Sequence, residues 1–438
     1  MITDQLQSPN QTELQDHVLN SLKRYWPQNS RFVRELPIKM IPFPDVRGPL
    51  LLKEILLPDW AKQWAINDVL LVPKEASAKG ENNWSGVDWW LAAFLLLECW
   101  HERAWEHRPG PIHSYSFRLK GWDKRAWDRA WVNRIALFVR QWAAHNQGKT
   151  PEELLGQLPK VEFLITHDVD AVRKTLSIRL KQGIFNLFNM GKALTNRNLP
   201  LAANKLQNSL RFLFGKGDWW KLNEILELEQ EFGIRSVFHF HADSRRKTFR
   251  RWLFDPNYNI QENRIQSFIQ ELKDQGFIVG LHPSIDAWEG SGWIQDQKEY
   301  LEKNSGTEIR YCRQHWLRFS WRKTWKAQEK AGLRFDTTLM FNDRSGFRAS
   351  AAVLRNPWNM EESRPHQLQA LPSVLMDSHL NDYKHMEDDT RQEEIKYWLD
   401  ECKAVKGEAA VLWHPHTLAR DYGWMAGFKF MLQALNPE

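Results

Sequence analysis

Two carboxylates end a hydrophobic stretch near residue 165. In "FLITHDVDAV", residues 163–172, four strand-like residues run directly into His167, Asp168 and Asp170. Because side chains two residues apart on an extended chain point to the same side, Asp168 and Asp170 are predicted to face one site. One carboxylate can hold a divalent metal ion while the other accepts a proton from water. The pair therefore indicates metal-assisted hydrolysis.

Other predicted strands also end in polar residues, many of them histidines. The strand ends supply His239, His241, His282, Ser284, Arg313, His315, Asp336, His414 and His416. Buried ionisable groups are costly unless they are paired or bound to a metal, so packing alone explains this convergence poorly. The donors are nitrogen and oxygen without a thiolate. This set favours Zn²⁺, or a similar divalent metal, held by two histidines and one carboxylate.

An alternation of strands and helices must position these residues. From residue 160 onward, strand-like and helix-like stretches alternate, and helices close with a Gly before the next strand. Such βα units are typical of a barrel or a parallel sheet, in which functional groups gather at the carboxyl ends of the strands. The sequence therefore predicts an α/β fold with its polar strand ends on one rim.

Residues 1–155 follow another pattern. Apolar residues recur at helical spacing in "VDWWLAAFLLLECWHERAW" and in "DKRAWDRAWVNRIALFVRQWAAHN". A linker-like stretch, "QGKTPEELLGQLPK", follows them. We predict a mainly helical N-terminal domain over 1–155 and an α/β domain over 156–438.

Segment 172–217 interrupts the strand–helix alternation. It interleaves Lys and Arg with Leu, Phe and Ile and contains no acidic residue. Two basic amphipathic helices of this kind can lie on an anionic membrane or bind a polyanion. The alternative is an insertion that only covers the mouth of the barrel. The sequence leaves both open, peripheral contact with an anionic membrane and a cover over the barrel mouth.

Composition limits the class of protein. The 438 residues include 60 Lys and Arg against 54 Asp and Glu, and a net charge of +6 is too small and diffuse to indicate a nucleic-acid partner. The three cysteines form no CxxC pair, and the N-terminus lacks the charged start and apolar core of a signal peptide. The longest apolar run, 89–97, is far shorter than the roughly 20 residues that span a bilayer. We predict a cytoplasmic, membrane-peripheral protein.

Five stretches resemble, in order, the motifs of the polysaccharide deacetylase family, the nodulation-type carbohydrate esterases. They are "LITHDVD", "VGLHPSIDAW", "YCRQHWLRF", "GLRFDTTLMF…SGFRAS" and "AVLWHPH", between about 160 and 420. The "THDVD" and "GLHPS" motifs look like those of a divergent bacterial branch. The resemblance implies an irregular (β/α) barrel after a helical N-terminal region. It also implies a metal-dependent deacetylase that removes N-acetyl groups from an amino-sugar polysaccharide or its precursor.

The resemblance implies a metal set. Asp170 matches the metal-binding carboxylate and His282 the first metal histidine. The second histidine of the family stands four residues later, where this chain has Asp286. We predict that His315 supplies the missing ligand, with Asp286 as the second choice.

The resemblance also implies catalytic roles. Asp168 matches the general base, although the family places its two Asp side by side and Val169 separates them here, so the two roles remain interchangeable. Arg313 matches an arginine that keeps the base ionised, and His414 matches the acid that protonates the leaving amine.

Several neighbouring residues receive no firm role. Asp336 either orients His414 or Arg313 or caps a turn, and Arg348 is predicted to reach an acidic group of the substrate. Five histidines are left as neighbours of the site, namely His167, His239, His241, His379 and His416.

Two other functions remain open from the sequence. A catalytically degenerate, glycan-binding protein of the same fold is favoured by the missing second histidine. A glycosyltransferase that uses Asp168 and Asp170 as a DXD motif would bind a nucleotide sugar, but it leaves His282, His315 and His414 without a role.

Overall fold

The computed structural model describes residues 8–435 except 79, 81, 196 and 383–385. The first part of the chain is mainly helical, and α3 is buried along its whole length. One antiparallel hairpin, β1–β2, is a feature that the helical prediction for 1–155 omitted. The helices and strands of this part are α1 (Gln11–Ser21), α2 (Arg31–Arg34), β1 (Leu52–Leu56), β2 (Val69–Pro73), α3 (Trp89–Leu97), α4 (Trp100–Glu106), α5 (Trp131–Asn146) and α6 (Pro151–Leu155).

The remainder of the chain alternates strands and helices. Its first half holds β3 (Glu162–Val169), α7 (Leu176–Thr195), α8 (Leu199–Phe214), α9 (Leu222–Glu231), β4 (Val237–Phe240), α10 (Phe249–Phe254), α11 (Asn263–Asp274), β5 (Ile278–Leu281) and α12 (Ser291–Ser305). Its second half holds β6 (Tyr311–Cys312), α13 (Thr324–Lys330), β7 (Phe335–Asp336), β8 (Trp358–Asn359), β9 (Arg364–Pro365), β10 (Gln369–Ala370), β11 (Ser373–Met376), α14 (Asp377–Asn381), α15 (Asp388–Ala404), β12 (Glu408–Leu412) and α16 (Met425–Leu435).

One parallel sheet organises this second part. Its eight strands pair in the order β10-β7-β6-β5-β4-β3-β12-β11, and each neighbouring pair is parallel. β10 and β11 occupy the two edges, yet only Leu371 and Pro372 separate them in the chain. The sheet must therefore curl until its edges approach each other. The predicted α/β fold with a parallel sheet is confirmed.

The local sequence explains these elements. The last five residues of β3 are buried, as expected for a central strand covered on both faces. At the end of α12, Gly306 adopts a φ of 62°, a left-handed conformation that terminates helices at little cost for glycine. Short hydrophobic strands and glycine-terminated helices thus place the strand ends on one rim.

The two parts of the chain share a hydrophobic core. Leu14 and Phe94 of the helical part belong to the same cluster of buried residues as Val169 and Leu281 of the sheet. The boundary near residue 155 therefore stays a prediction.

The segment predicted as a basic insertion forms a helical hairpin of α7 and α8. Ser209 Oγ donates to the carbonyl of Gly183 at 3.0 Å, and Arg179 Nη1 donates to the carbonyl of Leu213 at 2.8 Å, so hydrogen bonds join the first half of α7 to the second half of α8. No described helix of the chain is both long enough and apolar enough to cross a bilayer.

Candidate metal centre

One pocket of about 710 Å³ opens over the carboxyl ends of the parallel strands. Asp168 and Asp170 come from the end of β3, His282 follows β5, and His414 follows β12. Val169, between the two carboxylates, is buried in the hydrophobic core. The alternation of side chains along β3 thus places both Asp on the pocket side, as the sequence predicts.

Three ligand atoms meet at the floor of this pocket. Asp170 Oδ1 lies 3.2 Å from His282 Nε2 and 3.6 Å from His315 Nε2. One donor atom from each residue lies within 4.8 Å of the others. Asp170 Oδ1 is buried, and no described residue donates a hydrogen bond to it. A buried oxygen facing two imidazole nitrogens fits a divalent cation.

Hydrogen bonds orient both histidines. His282 Nδ1 donates to the carbonyl of Arg313 at 2.7 Å, and His315 Nδ1 faces Asp255 Oδ1 at 3.4 Å. Asp255 is itself held by Arg251 Nε at 2.9 Å and by the backbone N–H of Ile285 at 2.8 Å. Each ring therefore presents Nε2 to the pocket, the arrangement in which histidines bind metals.

Asp168 lies beside the cluster of Asp170, His282 and His315 and is surrounded by charged and polar side chains. Its Oδ1 is 3.5 Å from Arg313 Nε and 3.3 Å from His239 Nδ1, and only 3% of the residue is exposed. Burial opposes the charged form, but His282 and Arg313 outweigh it and hold the pKa of Asp168 well below its usual range. Thr166 Oγ1 accepts from Arg313 Nη2 at 2.6 Å and fixes the guanidinium.

His414 is held by a carboxylate that follows β11. His414 Nδ1 lies 2.9 Å from Asp377 Oδ1, and the backbone N–H of His414 donates to Asp377 Oδ2 at 2.9 Å. His414 Nε2 lies 3.7 Å from Asp170 Oδ2. Burial opposes the cation, but the charge and hydrogen bond of Asp377 raise the pKa of His414 to about 10. His414 is therefore an imidazolium that faces the pocket.

Two sequence predictions are corrected at this point, and a third residue follows one of its two predicted alternatives. Asp286, the second choice for the third ligand, forms an ion pair with Arg250 at 3.0 Å and lies outside the metal cluster. Asp336 contacts neither His414 nor Arg313; its oxygens accept from Trp325, Gln328 and Thr338, so it caps the turn that follows β7. Arg348 pairs with Glu102, which neutralises its charge, and donates to Ser114 in the buried interior. It does not belong to the lining of the pocket and therefore does not reach a substrate there.

The histidines left as neighbours divide into two groups. His167 bonds to Glu229 at 2.8 Å and His379 to the carbonyl of Phe341 at 2.9 Å, which are structural contacts. His239 touches Asp168, His241 Nδ1 faces the carbonyl of His282 at 3.3 Å, and His416 lines the pocket. His239 therefore belongs to the site, although the sequence assigns it no role.

Two carboxylates of the site were missed from the sequence. Asp377 follows the run "SVLM" much as His167 and Asp168 follow "FLIT", so the same strand-end pattern could have found it. Asp255 follows the short helix α10 and carries no such signal.

An apolar wall rises from this polar floor. It combines Leu253, Phe254, Trp316 and Leu317 with residues of α7, namely Ile178, Ile184, Phe185 and Phe188. Among the described residues of the lining, Lys181 is the single Lys or Arg; its Nζ lies 5.4 Å from the centre of the Trp316 ring, and burial lowers its pKa.

Comparisons with known proteins give a fold-level likeness only. No family model and no curated protein matches the chain. Similar solved structures include a proposed polysaccharide deacetylase from Mycobacterium smegmatis, with 16% identity and a TM-score of 0.35 over 63% of this chain and 84% of that chain. The polysaccharide deacetylase Bc1974 from Bacillus cereus has 10% identity and a TM-score of 0.31 over 63% of this chain and 87% of that chain. BA3943, a CE4 family pseudoenzyme from Bacillus anthracis, has 14% identity and a TM-score of 0.29 over 63% of this chain and 60% of that chain. Likeness at this level carries no conclusion about chemistry, which has to come from the residues of the site.

Proposed function

We propose that the protein is a metal-dependent hydrolase that removes N-acetyl groups from an amino-sugar polysaccharide or its precursor. One observation carries the proposal: a two-histidine, one-carboxylate cluster, an ionised Asp168 and a cationic His414 face the same pocket. Amide hydrolysis needs an electrophile, a proton acceptor for water and a proton donor for the departing nitrogen. Each of these tasks has one matching group here.

Asp170, His282 and His315 are the proposed ligands of Zn²⁺. Two imidazole nitrogens and a carboxylate oxygen are donors that this ion takes in catalytic sites. When bound, the metal would lower the pKa of a coordinated water and polarise the acetamide carbonyl.

Asp168 is the proposed general base. Arg313 and His239 hold its carboxylate in place beside the ligand cluster and keep it ionised, so it can accept the proton of an attacking water. The positions of the two carboxylates support this division of roles, because Asp170 faces His282 and His315 while Asp168 faces Arg313.

His414 is the proposed general acid. Asp377 fixes the ring through Nδ1 and leaves the protonated Nε2 directed toward the pocket. A proton held at Nε2 can pass to the nitrogen of the leaving amine as the amide bond breaks.

The remaining parts of the proposal concern the setting of the enzyme. We place it in the cytoplasm, with segment 172–217 in contact with an anionic membrane. A precursor or an intracellular glycan is then a more accessible substrate than a finished cell wall.

An acetate-release assay on N-acetylated oligosaccharides tests the function. The wild type is expected to release acetate, to lose the activity in a chelator and to regain it with Zn²⁺. Asp168→Asn and His282→Ala are expected to lower kcat by at least about 10²-fold. Saccharide binding without acetate release, in metal-loaded protein, would instead support a glycan-binding protein.

The geometry gives little support to a glycosyltransferase. A DXD motif requires both carboxylates to serve the metal and its nucleotide sugar, whereas Asp168 is enclosed by Arg313 and His239.

A further inference from the structure

The hairpin of α7 and α8 exposes a large apolar surface. Of the seventeen large hydrophobic residues that are exposed in the described part of the chain, eleven lie between 176 and 214. The most exposed of these are Phe214 at 75%, Phe188 at 71%, Leu199 at 67% and Leu176 at 64%. A surface this rich in exposed apolar side chains marks a site of interaction with a protein or a membrane.

The charge of the hairpin favours an anionic bilayer. Segment 172–217 contains five Lys and four Arg and no Asp or Glu. Arg197, Arg211 and Lys216 are exposed and form no ion pair with any residue that the structure describes. Basic side chains beside exposed Leu and Phe are the pattern by which helices bind anionic lipid surfaces. A second copy of the chain would oppose this surface with the same positive charge.

Helix α7 links this outer surface to the pocket. Phe185 and Lys181 line the pocket, whereas Leu176 and Leu180 face outward. Ile184 is 63% exposed and also lines the pocket, as does Phe188. Exposed apolar side chains of α7 therefore extend from the outer surface into the lining of the pocket.

The apolar wall of the pocket extends beyond α7. Leu253 and Phe254 of α10 and Trp316 and Leu317 after β6 belong to the same lining. A hydrocarbon chain gains from each part of this apolar area that it covers, in addition to the contacts that a sugar makes with the polar floor.

We infer that the substrate is an N-acetylated amino sugar carried on a lipid and that the α7–α8 hairpin docks the pocket onto the anionic membrane that holds it. The inference rests on the proposed function, because it names the substrate of that site. The sugar lies over Asp170, His282 and His315, and the lipid leaves the pocket along Ile184 and Phe188 toward the bilayer.

Vesicle flotation of the full chain tests the docking without any assay of activity. The wild type is expected to float with vesicles of phosphatidylglycerol and phosphatidylcholine and to float weakly with phosphatidylcholine alone. The double variant Leu199→Ser, Phe214→Ser removes two exposed side chains outside the pocket lining and should lower binding at least about tenfold. Leu56→Ser, at a 58% exposed residue outside the hairpin, is the matched control and should float as the wild type does. Equal flotation of the double variant and the wild type would overturn the docking.

A comparison of two substrates tests the lipid. Acetate release is measured from methyl N-acetylglucosaminide in solution and from an N-acetylglucosaminide with a long alkyl chain held in the anionic vesicles. The wild type should show at least about tenfold higher kcat/KM for the vesicle-held sugar, and the double variant should lose this preference while keeping its rate on the methyl glycoside.

The two proposals fail differently. Equal kcat/KM for the two sugars would overturn the lipid-carried substrate and leave the deacetylase intact. Acetate from neither sugar would contradict the hydrolysis itself, and flotation would then report on the membrane contact alone.

Discussion

Gly280 determines where the His239 ring can lie. A Cβ at this position would stand 2.6 Å from Cδ2 of the buried His239 and 3.2 Å from Tyr311 Cβ. In the pairing of β4 with β5, His239 lies opposite Gly280. In the pairing of β3 with β4, His239 lies opposite Asp168. Because Gly280 has no side chain, the His239 ring can lie beside Asp168, the proposed base.

The first prediction concerns this close approach. Gly280→Ala should push His239 against Asp168 and lower kcat by up to about 10²-fold, since small misplacements of catalytic groups have effects of this size. KM should change little, because the pocket lining is untouched. Gly292→Ala is the control: its Cβ would meet nothing within 4 Å, and kcat should stay at the wild-type value. Steady-state kinetics of both variants decide, and an unchanged kcat in Gly280→Ala would contradict the role of His239.

The second prediction concerns the partner of His315. Asp255→Asn weakens the acceptor of His315 Nδ1 and should lower the affinity for Zn²⁺ by about 10- to 100-fold, measured by competition with a chromophoric chelator. Asp286→Asn should leave the affinity unchanged, because Asp286 pairs with Arg250. Weaker zinc binding in Asp286→Asn and not in Asp255→Asn would restore Asp286 as the ligand.

At the scale of single residues, the sequence predicts the groups at strand ends and misses those that support them. Asp168, Asp170, His282 and His414 could be found because each follows an apolar stretch. Asp255 could not, since its contact with His315 spans sixty residues and depends on how α10 packs. Tertiary packing of this kind leaves no local pattern.

At the scale of elements, a buried carboxylate joins the helical part to the loops of the sheet. Glu98, just after α3, is fully buried and lies 2.9 Å from His17 Nε2, 2.6 Å from Arg103 Nη2 and 3.3 Å from Arg355 Nε. Burial raises the pKa of Glu98, but Arg355, the hydrogen bond with His17 and Arg103 outweigh it and hold the pKa well below the ordinary 4.5. The ionised form of Glu98 therefore stabilises the fold.

The third prediction follows from this cluster. Glu98→Gln leaves buried arginines without their counter-charge and should lower the free energy of unfolding by about 3–5 kcal/mol at neutral pH, measured by denaturant titration. Because folding lowers the pKa of Glu98, its contribution to the free energy of unfolding is fully present above pH 4.5. This contribution is lost as the pH falls toward the pKa of the folded state. The difference between variant and wild type should therefore narrow below about pH 4.5.

Glu308→Gln is the control for this experiment. Glu308 pairs with Arg310 at the surface, with 61% of its side chain exposed, so its replacement should leave the unfolding curve unchanged. Equal stability of Glu98→Gln and the wild type at neutral pH would contradict the role of the buried cluster.

Several elements could not be predicted. β6 and β7 contain two residues each, much less than the stretches "YCRQHWLRF" and "GLRFDTTLMF" that hold them, because only those residues pair with parallel neighbours. The sequence does not predict β10 and β11, because no helix separates them from the strands before them. Their place in the sheet becomes clear only from the fold, in which they form its two edges. Length and curvature of a sheet depend on pairing between distant segments, which a single sequence does not display.

At the scale of the whole molecule, three layers of the chain serve one pocket. The strand ends of the parallel sheet supply the proposed ligands, acid and base, and α7 supplies part of the apolar wall. The helical part packs into the same core. Its Glu98 and Glu102 form ion pairs with Arg355 and Arg348 in the loops that follow β7. The polar floor agrees with hydrolysis of a sugar amide, and the apolar wall agrees with a lipid-borne substrate.

The most direct test of the metal-dependent site is a crystal structure of the zinc-loaded protein with an anomalous difference map at the zinc edge. We expect one strong peak, bonded to Asp170 Oδ1, His282 Nε2 and His315 Nε2 at about 2.0–2.2 Å. A map whose only peak lies elsewhere, or a fully loaded crystal with none of these three residues bound to zinc, would contradict this expectation.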